Sequence, residues 1–92
     1  MTFELVISDE AKAHLKLHRK SGQKLLLQKI DRIFDELRVT PFEGIGHPEQ
    51  LRYGRSNQWS RKIDKKHWLI YQVFEQQVLV EVISAYGHYD DR

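Results

Sequence analysis

The sequence contains no cysteine. That excludes a disulfide framework, a thiolate nucleophile and any cysteine-ligated zinc, and it fits a reducing cytosol. Long apolar runs are missing too: Lys12, Lys16, Arg19 and Lys20 interrupt the first twenty residues, which leaves no room for a secretory signal or a membrane-spanning helix. A cytoplasmic protein with no membrane partner is the expectation. The chain also lacks internal repeats, linkers and low-complexity tracts. Its 92 residues and 11.0 kDa therefore predict a single domain over 1–92, large enough for one core and too small for a separate binding domain. Whatever it binds must then lie on its surface.

Net charge is small as well, +2 with pI ≈ 9.0, so its distribution says more than its sum. From Gln50 to Phe74 the cations Arg52, Arg55, Arg61, Lys62, Lys65 and Lys66 face one anion, Asp64. That stretch carries +5 and the remainder −3. A cationic patch on an acidic body suits a polyanion, and a solvated charged hairpin is the plainer alternative.

The periodicity predicts an α+β order of β-α-α-β-β-β. Phe3 to Ile7 reads as a first strand, and Ser8 as the cap of a helix with Asp9 and Glu10 in its first turn. The pairs Ala11 with Leu15 and Ala13 with Leu17 form a modest apolar stripe that ends near Ser21-Gly22. A stronger pattern begins at Gln23, where Leu26, Ile30, Ile33 and Leu37 keep helical spacing until Pro41 forbids continuation. Gly44, Gly46, Pro48 and Gly54 make the next stretch mostly loop, with a short extended piece around Gln50 to Tyr53. Gln58 to Ile63, Trp68 to Phe74 and Val78 to Ala85 read as strands joined by short polar turns, hence as antiparallel hairpins. Trp68-Leu69-Ile70-Tyr71 is apolar on both faces and marks the central strand. The expectation is an antiparallel sheet with a helical hairpin on one face and the other face free for function.

Several motifs can be read together: Pro41-Phe42-Glu43-Gly44-x-Gly46-x-Pro48-Glu49-x-Leu51, Trp59-Ser60-Arg61-Lys62-Ile63, His67-x-Leu69-Ile70-Tyr71 and Gly87-His88-Tyr89. In order and spacing they resemble the YoeB/Txe branch of the RelE-like toxins, the ribosome-dependent mRNA endonucleases of type II toxin–antitoxin pairs. The resemblance covers essentially the whole chain. It implies a RelE-like fold, metal-free cleavage of mRNA in the ribosomal A site with no cofactor, and three partners: a cognate antitoxin of the YefM/Axe kind, the ribosome and its mRNA. A homodimer is left open. Glu49 matches the family's general base, His88 the histidine available as general acid, and Tyr89 the aromatic beside it that grips the nucleotide. The residue chemistry agrees. Cutting RNA through its own 2′-OH needs a base, an acid for the leaving 5′-oxygen and cations for the developing phosphorane charge. Arg52, Arg61 and Lys62 are candidates for the phosphate, with Lys65 and Lys66 beside them.

Two departures from the family pattern stand out. The position after His67, an arginine in the family that supports the transition state, is Trp68 here, and indole carries no charge. Either Lys62, Lys65 or Lys66 supplies the charge, or the nuclease is weakened and the protein acts mainly through antitoxin binding and operator autorepression. The tail Asp90-Asp91-Arg92 extends past the His-Tyr ending. Of the remaining candidates, Tyr71, Trp59 and Phe74 are expected in the core, and His67 is expected to hydrogen-bond within its hairpin. His14 and His18 sit at i,i+4, a spacing compatible with a metal, though their neighbours are mostly lysines.

Overall fold

The computed structural model describes residues 2–52 and 57–87. Its elements are β1 (Glu4–Ile7), α1 (Asp9–Ser21), α2 (Lys24–Leu37), β2 (Glu49–Gln50), β3 (Gln58–Lys62), β4 (Trp68–Phe74) and β5 (Leu79–Ser84). Helix α1 starts where a hydroxyl can serve twice. Ser8 Oγ accepts from the Ala11 N–H at 3.0 Å and donates to the Ile83 carbonyl at 2.8 Å, so the cap also fastens the helix to β5. Its end is set by Gly22, which adopts φ 71° and returns its N–H to the Arg19 carbonyl.

The buried stripe of α1 differs from the expected one. It runs Ala11, Leu15 and His18, while Leu17 is left 48% exposed. Spacing i, i+4, i+7 keeps one face inward, and the polar residue completing that face is a histidine. Helix α2 buries Leu26, Ile30, Ile33 and Leu37 as its periodicity requires. Ile33 and Leu37 are fully enclosed, so truncating either to alanine costs about 2–5 kcal/mol.

The five strands lie in the order β1-β5-β4-β3-β2. β3, β4 and β5 pair antiparallel in sequence order, which makes β4 central. The sequence left β1 without a partner; it joins β5 in parallel, Leu5 opposite Val80. The extended piece is shorter and earlier than expected: β2 is two residues, with Glu49 opposite Ser60 and Gln50 opposite Trp59.

Because side chains alternate along a strand, the register divides the sheet into two faces. Both helices pack on the face of Ile63, Leu69, Tyr71, Val73, Val80 and Val82, and these residues share one core with the helix stripes. Trp59 is half-buried against that core and meets the Phe42 ring at 5.2 Å. Phe74, expected inside, points to the opposite face and stays outside the core cluster. That opposite face presents Glu49, Ser60, Lys62, Trp68, Ile70 and Gln72. Its centre is not open, for Ser60, Ile70 and Gln72 are exposed by only 2, 8 and 8%. The accessible chemistry therefore sits at its rim.

Candidate functional site

Glu49 is an exposed carboxylate on the edge strand β2, rather than in a free loop. It stands opposite Ser60, and Lys62 is the next residue of β3 on the same face, placing the carboxylate and the ammonium in diagonal relation. Lys62 in turn lies opposite Trp68, with Nζ 5.7 Å from the indole centroid, a distance at which the ring face attracts the cation. The sheet thus brings Glu49, Lys62 and Trp68 onto one rim.

Two glycines allow the approach to that rim. At Gly46, φ is 81° and a Cβ would come within 2.8 Å of the Lys62 carbonyl; the close passage lets the Lys62 N–H donate to the Gly46 carbonyl at 2.6 Å. At Gly44, φ is 134° and a Cβ would collide with the Glu36 carboxylate.

Arg61 corrects the sequence reading. Expected to touch phosphate, it is fully buried on the helix-covered face. Its Nε donates to the Tyr71 hydroxyl at 3.3 Å; Nη1 donates to Glu36 Oε1 and to the Ile45 carbonyl at 3.3 Å; Nη2 donates to the Thr40 carbonyl at 3.0 Å and the Glu43 carbonyl at 2.8 Å. A guanidinium has five N–H groups, and all five are engaged here. Arg61 fixes the loop leading to Glu49 and has nothing left for a phosphate. Tyr71, in the core as expected, donates to the Pro41 carbonyl at 2.7 Å. Burial pushes its phenol above the ordinary 10.0, outweighing the hydrogen bond and charge of Arg61, and the Glu36 carboxylate adds to the rise.

Sequence reasoning missed Glu36 as the partner of that guanidinium. A signal existed: Trp59, Arg61 and Ile63 alternate with Ser60 and Lys62, and period two places Arg61 on the same side as two apolar neighbours.

The other cations are dispersed. Arg52 is exposed just beyond β2, near the start of β3, whereas Lys65 and Lys66 lie in the turn at its far end. That turn is held by Asp64, whose Oδ1 accepts the N–H groups of Lys66 and His67, each at 2.8 Å. Burial alone raises the Asp64 pKa; the two N–H donors, with the nearby His67 and His18 rings, outweigh it and hold the carboxyl below 3.8. Lys65 and Lys66 border a cleft of about 470 Å³ shared with Leu17, His18, His67 and Tyr86. Arg55, His88 and Tyr89 lie outside the described residues.

His14 and His18 do not face each other as metal ligands: both rings bond to the backbone of Ala85. His67 hydrogen-bonds within its hairpin as expected, its carbonyl accepting the Ile63 N–H at 2.9 Å and its N–H donating to Asp64 Oδ1, and its ring also accepts the Gly87 N–H. Among the described residues no three histidine or acidic side chains gather to hold a metal, and no helix is long and apolar enough to cross a membrane.

A helical hairpin on one face of a sheet ordered β1-β5-β4-β3-β2 is the arrangement that the resemblance to the RelE-like toxins implies. A family model described as YoeB-like toxin of bacterial type II toxin-antitoxin system matches residues 8–89, and the chain belongs to that family. It is 39% identical over 64 residues to Toxin YoeB of Escherichia coli O6:H1, covering 70% of this chain and 76% of the relative. The structure of a YoeB/ParE toxin from Agrobacterium tumefaciens superposes with a TM-score of 0.85 at 28% identity, over 95% of this chain and all of that one. YoeB in the heterotetrameric YoeB-YefM complex of Staphylococcus aureus does so with 0.75 at 27% identity, over 97% of this chain and 100% of that one.

Proposed function

We infer that this toxin is an endoribonuclease that cuts mRNA in the ribosomal A site by general acid–base catalysis. The observation that carries the reading is the shared rim of Glu49, Lys62 and Trp68. Glu49 takes the proton of a ribose 2′-OH, and the freed oxygen attacks the adjacent phosphorus. The bond to the 5′-oxygen breaks as His88 returns a proton to it, leaving a 2′,3′-cyclic phosphate on one fragment and a 5′-hydroxyl on the other. Tyr89 stacks on the nucleotide. Lys62 stabilises the charge that builds on the phosphorane, standing in for the family's arginine at the position of Trp68, while the indole holds its ammonium. Arg52, Lys65 and Lys66 are exposed and steer RNA at longer range. So small a surface gains from a ribosome that presents the mRNA already oriented.

The test is single-turnover cleavage on programmed ribosomes. Lys62→Ala should slow cutting about 10²-fold or more and Trp68→Arg should not accelerate it. The opposite pair of results would support the rival reading, a weakened nuclease acting through antitoxin and operator, for which the uncharged Trp68 speaks. Before activation the same surface, Arg52 to Lys66, is covered by a cognate antitoxin of the YefM/Axe kind. The partner of the Staphylococcus aureus relative is of this kind, and an acidic, apolar segment would neutralise the rim and shield Glu49. A partner that binds tightly yet leaves cleavage undiminished would count against this.

A further inference from the structure

The β4–β5 ladder ends where Ile70 faces Ser84. Beyond it, the backbone of 85–87 is held by three histidine rings and by the first residue of β4. The Ala85 N–H donates to His14 Nδ1 at 3.0 Å, and the Ala85 carbonyl meets His18 Nε2 at 2.7 Å. The Gly87 N–H donates to His67 Nδ1 at 2.9 Å, and its carbonyl accepts from the Trp68 N–H at 3.0 Å. All four polar groups of Ala85 and Gly87 are engaged. Tyr86 lies between them, its ring 4.4 Å from His67, 5.2 Å from His18 and 5.9 Å from His14. The next two residues in the chain are His88 and Tyr89.

These partners dictate the ring states. A backbone N–H can only donate, so Nδ1 of His14 and of His67 must be bare, whereas a carbonyl can only accept, so Nε2 of His18 must carry hydrogen. His18 can keep its bond whether neutral or charged. His14 and His67 cannot: a proton on Nδ1 would set donor against donor.

We propose that His14, His18 and His67 are positioning residues that fix Ala85 to Gly87, the segment immediately before His88 and Tyr89 in the chain, and that His14 and His67 hold it only as neutral imidazoles. The part concerning catalysis rests on the function inferred above. The charged and titratable groups that face these rings are Glu10, 3.8 Å from His14 Nε2, Asp64 in the turn beside His67, and Lys65 and Lys66 on the same cleft, with the His18 and His67 rings 4.8 Å apart. A proton gained on Nδ1 of His14 and His67 in acid releases the N–H groups of Ala85 and Gly87 from these two anchors.

The experiment reads amide hydrogen exchange of Ala85 and Gly87 in the full chain by NMR, between about pH 8 and 5, where histidine charge ordinarily changes. The Val73 amide, which donates to the Asn57 carbonyl, serves as the internal control. Protection of Gly87 and Ala85 should fall about tenfold or more on acidification, the equivalent of one lost hydrogen bond, while that of Val73 holds. In His67→Asn, whose side-chain oxygen replaces the Nδ1 acceptor without titrating, Gly87 should stay protected at every pH while Ala85 still responds. In His67→Ala, Gly87 should be unprotected throughout. Gly87 protection that ignores pH in the parent, or that is lost in His67→Asn, overturns the clamp. On ribosomes, His67→Ala should slow cleavage about 10- to 100-fold with ribosome affinity kept, and His67→Asn should recover most of the rate. Equal rates for alanine and parent would end the positioning role. A parent that cuts nothing would defeat the inferred function alone, since exchange still decides the clamp.

Discussion

Arg61 and Lys62 are consecutive cations in one strand, yet the two faces of the sheet give them opposite work. The covered face encloses Arg61 completely and satisfies each of its N–H groups, whereas the other face leaves the Lys62 ammonium exposed over an indole. A buried charge without partners is expensive, so on the covered side a cation persists only as part of the framework. At the rim, solvent has already met that cost and the charge is free to meet a ligand. Alternation by one residue separates support from chemistry.

The sharpest way to break this contrast is Arg61→Ala. It removes the buried guanidinium from the Glu36 carboxylate, three carbonyls and the Tyr71 hydroxyl, leaving Glu36 only the Ile45 N–H and the exposed Arg32, and should cost about 3–5 kcal/mol in urea unfolding. Next in size, Glu49→Gln and His88→Ala should each lower single-turnover cleavage about a hundredfold or more, and at the exposed Glu49 stability should move by no more than about 0.5 kcal/mol. Unchanged cleavage in both would remove the site assignment. Lys62→Ala should likewise leave the unfolding midpoint nearly in place while cutting the rate about 10²-fold or more, the range of one preorganised charge-stabilising group. If instead it unfolds the protein as Arg61→Ala does, the division between the faces is wrong.

The smallest effect concerns the Asp64 turn. Its carboxyl is held below 3.8, so the folded state binds its proton less readily than the unfolded chain. Its contribution is fully present above that value and lost as pH falls through the lower, folded one. The group is half-buried in a surface turn, where solvent screens it, so Asp64→Asn should cost under about 1 kcal/mol near neutral pH. The difference between variant and parent should shrink in acid. Thermal melts of both proteins across that range check the sign.

Much of the architecture was legible before any coordinates. Ser8 and Gly22 bracket α1, the spacing of Leu26, Ile30, Ile33 and Leu37 defines α2, Pro41 stops it, and Trp68 to Tyr71 marks the central strand. Each depends on interactions within a turn or two, or on the period of a single element, and such information is written in neighbouring residues. Glu49 became a candidate through the resemblance of its continuous motif to the YoeB/Txe toxins, and Lys62 through the cationic Arg61-Lys62 pair.

Other assignments needed the folded chain. Arg61 belongs to the framework because Glu36, 25 positions away, comes to meet it. His14 becomes an acceptor because Ala85 arrives from 71 positions away. Within the charge run from Arg52 to Lys66 the alternation sets Arg61 on the side of Trp59 and Ile63, yet it does not say that this side meets the helices or which anion meets the guanidinium there. That is decided by which face the pleat turns toward the helices and by what the helices bring there. The sequence by itself determined where helices and strands form and which motifs the family shares; tertiary packing decided which charges are structural and which can act, because the energy of a charge depends on its surroundings more than on its identity.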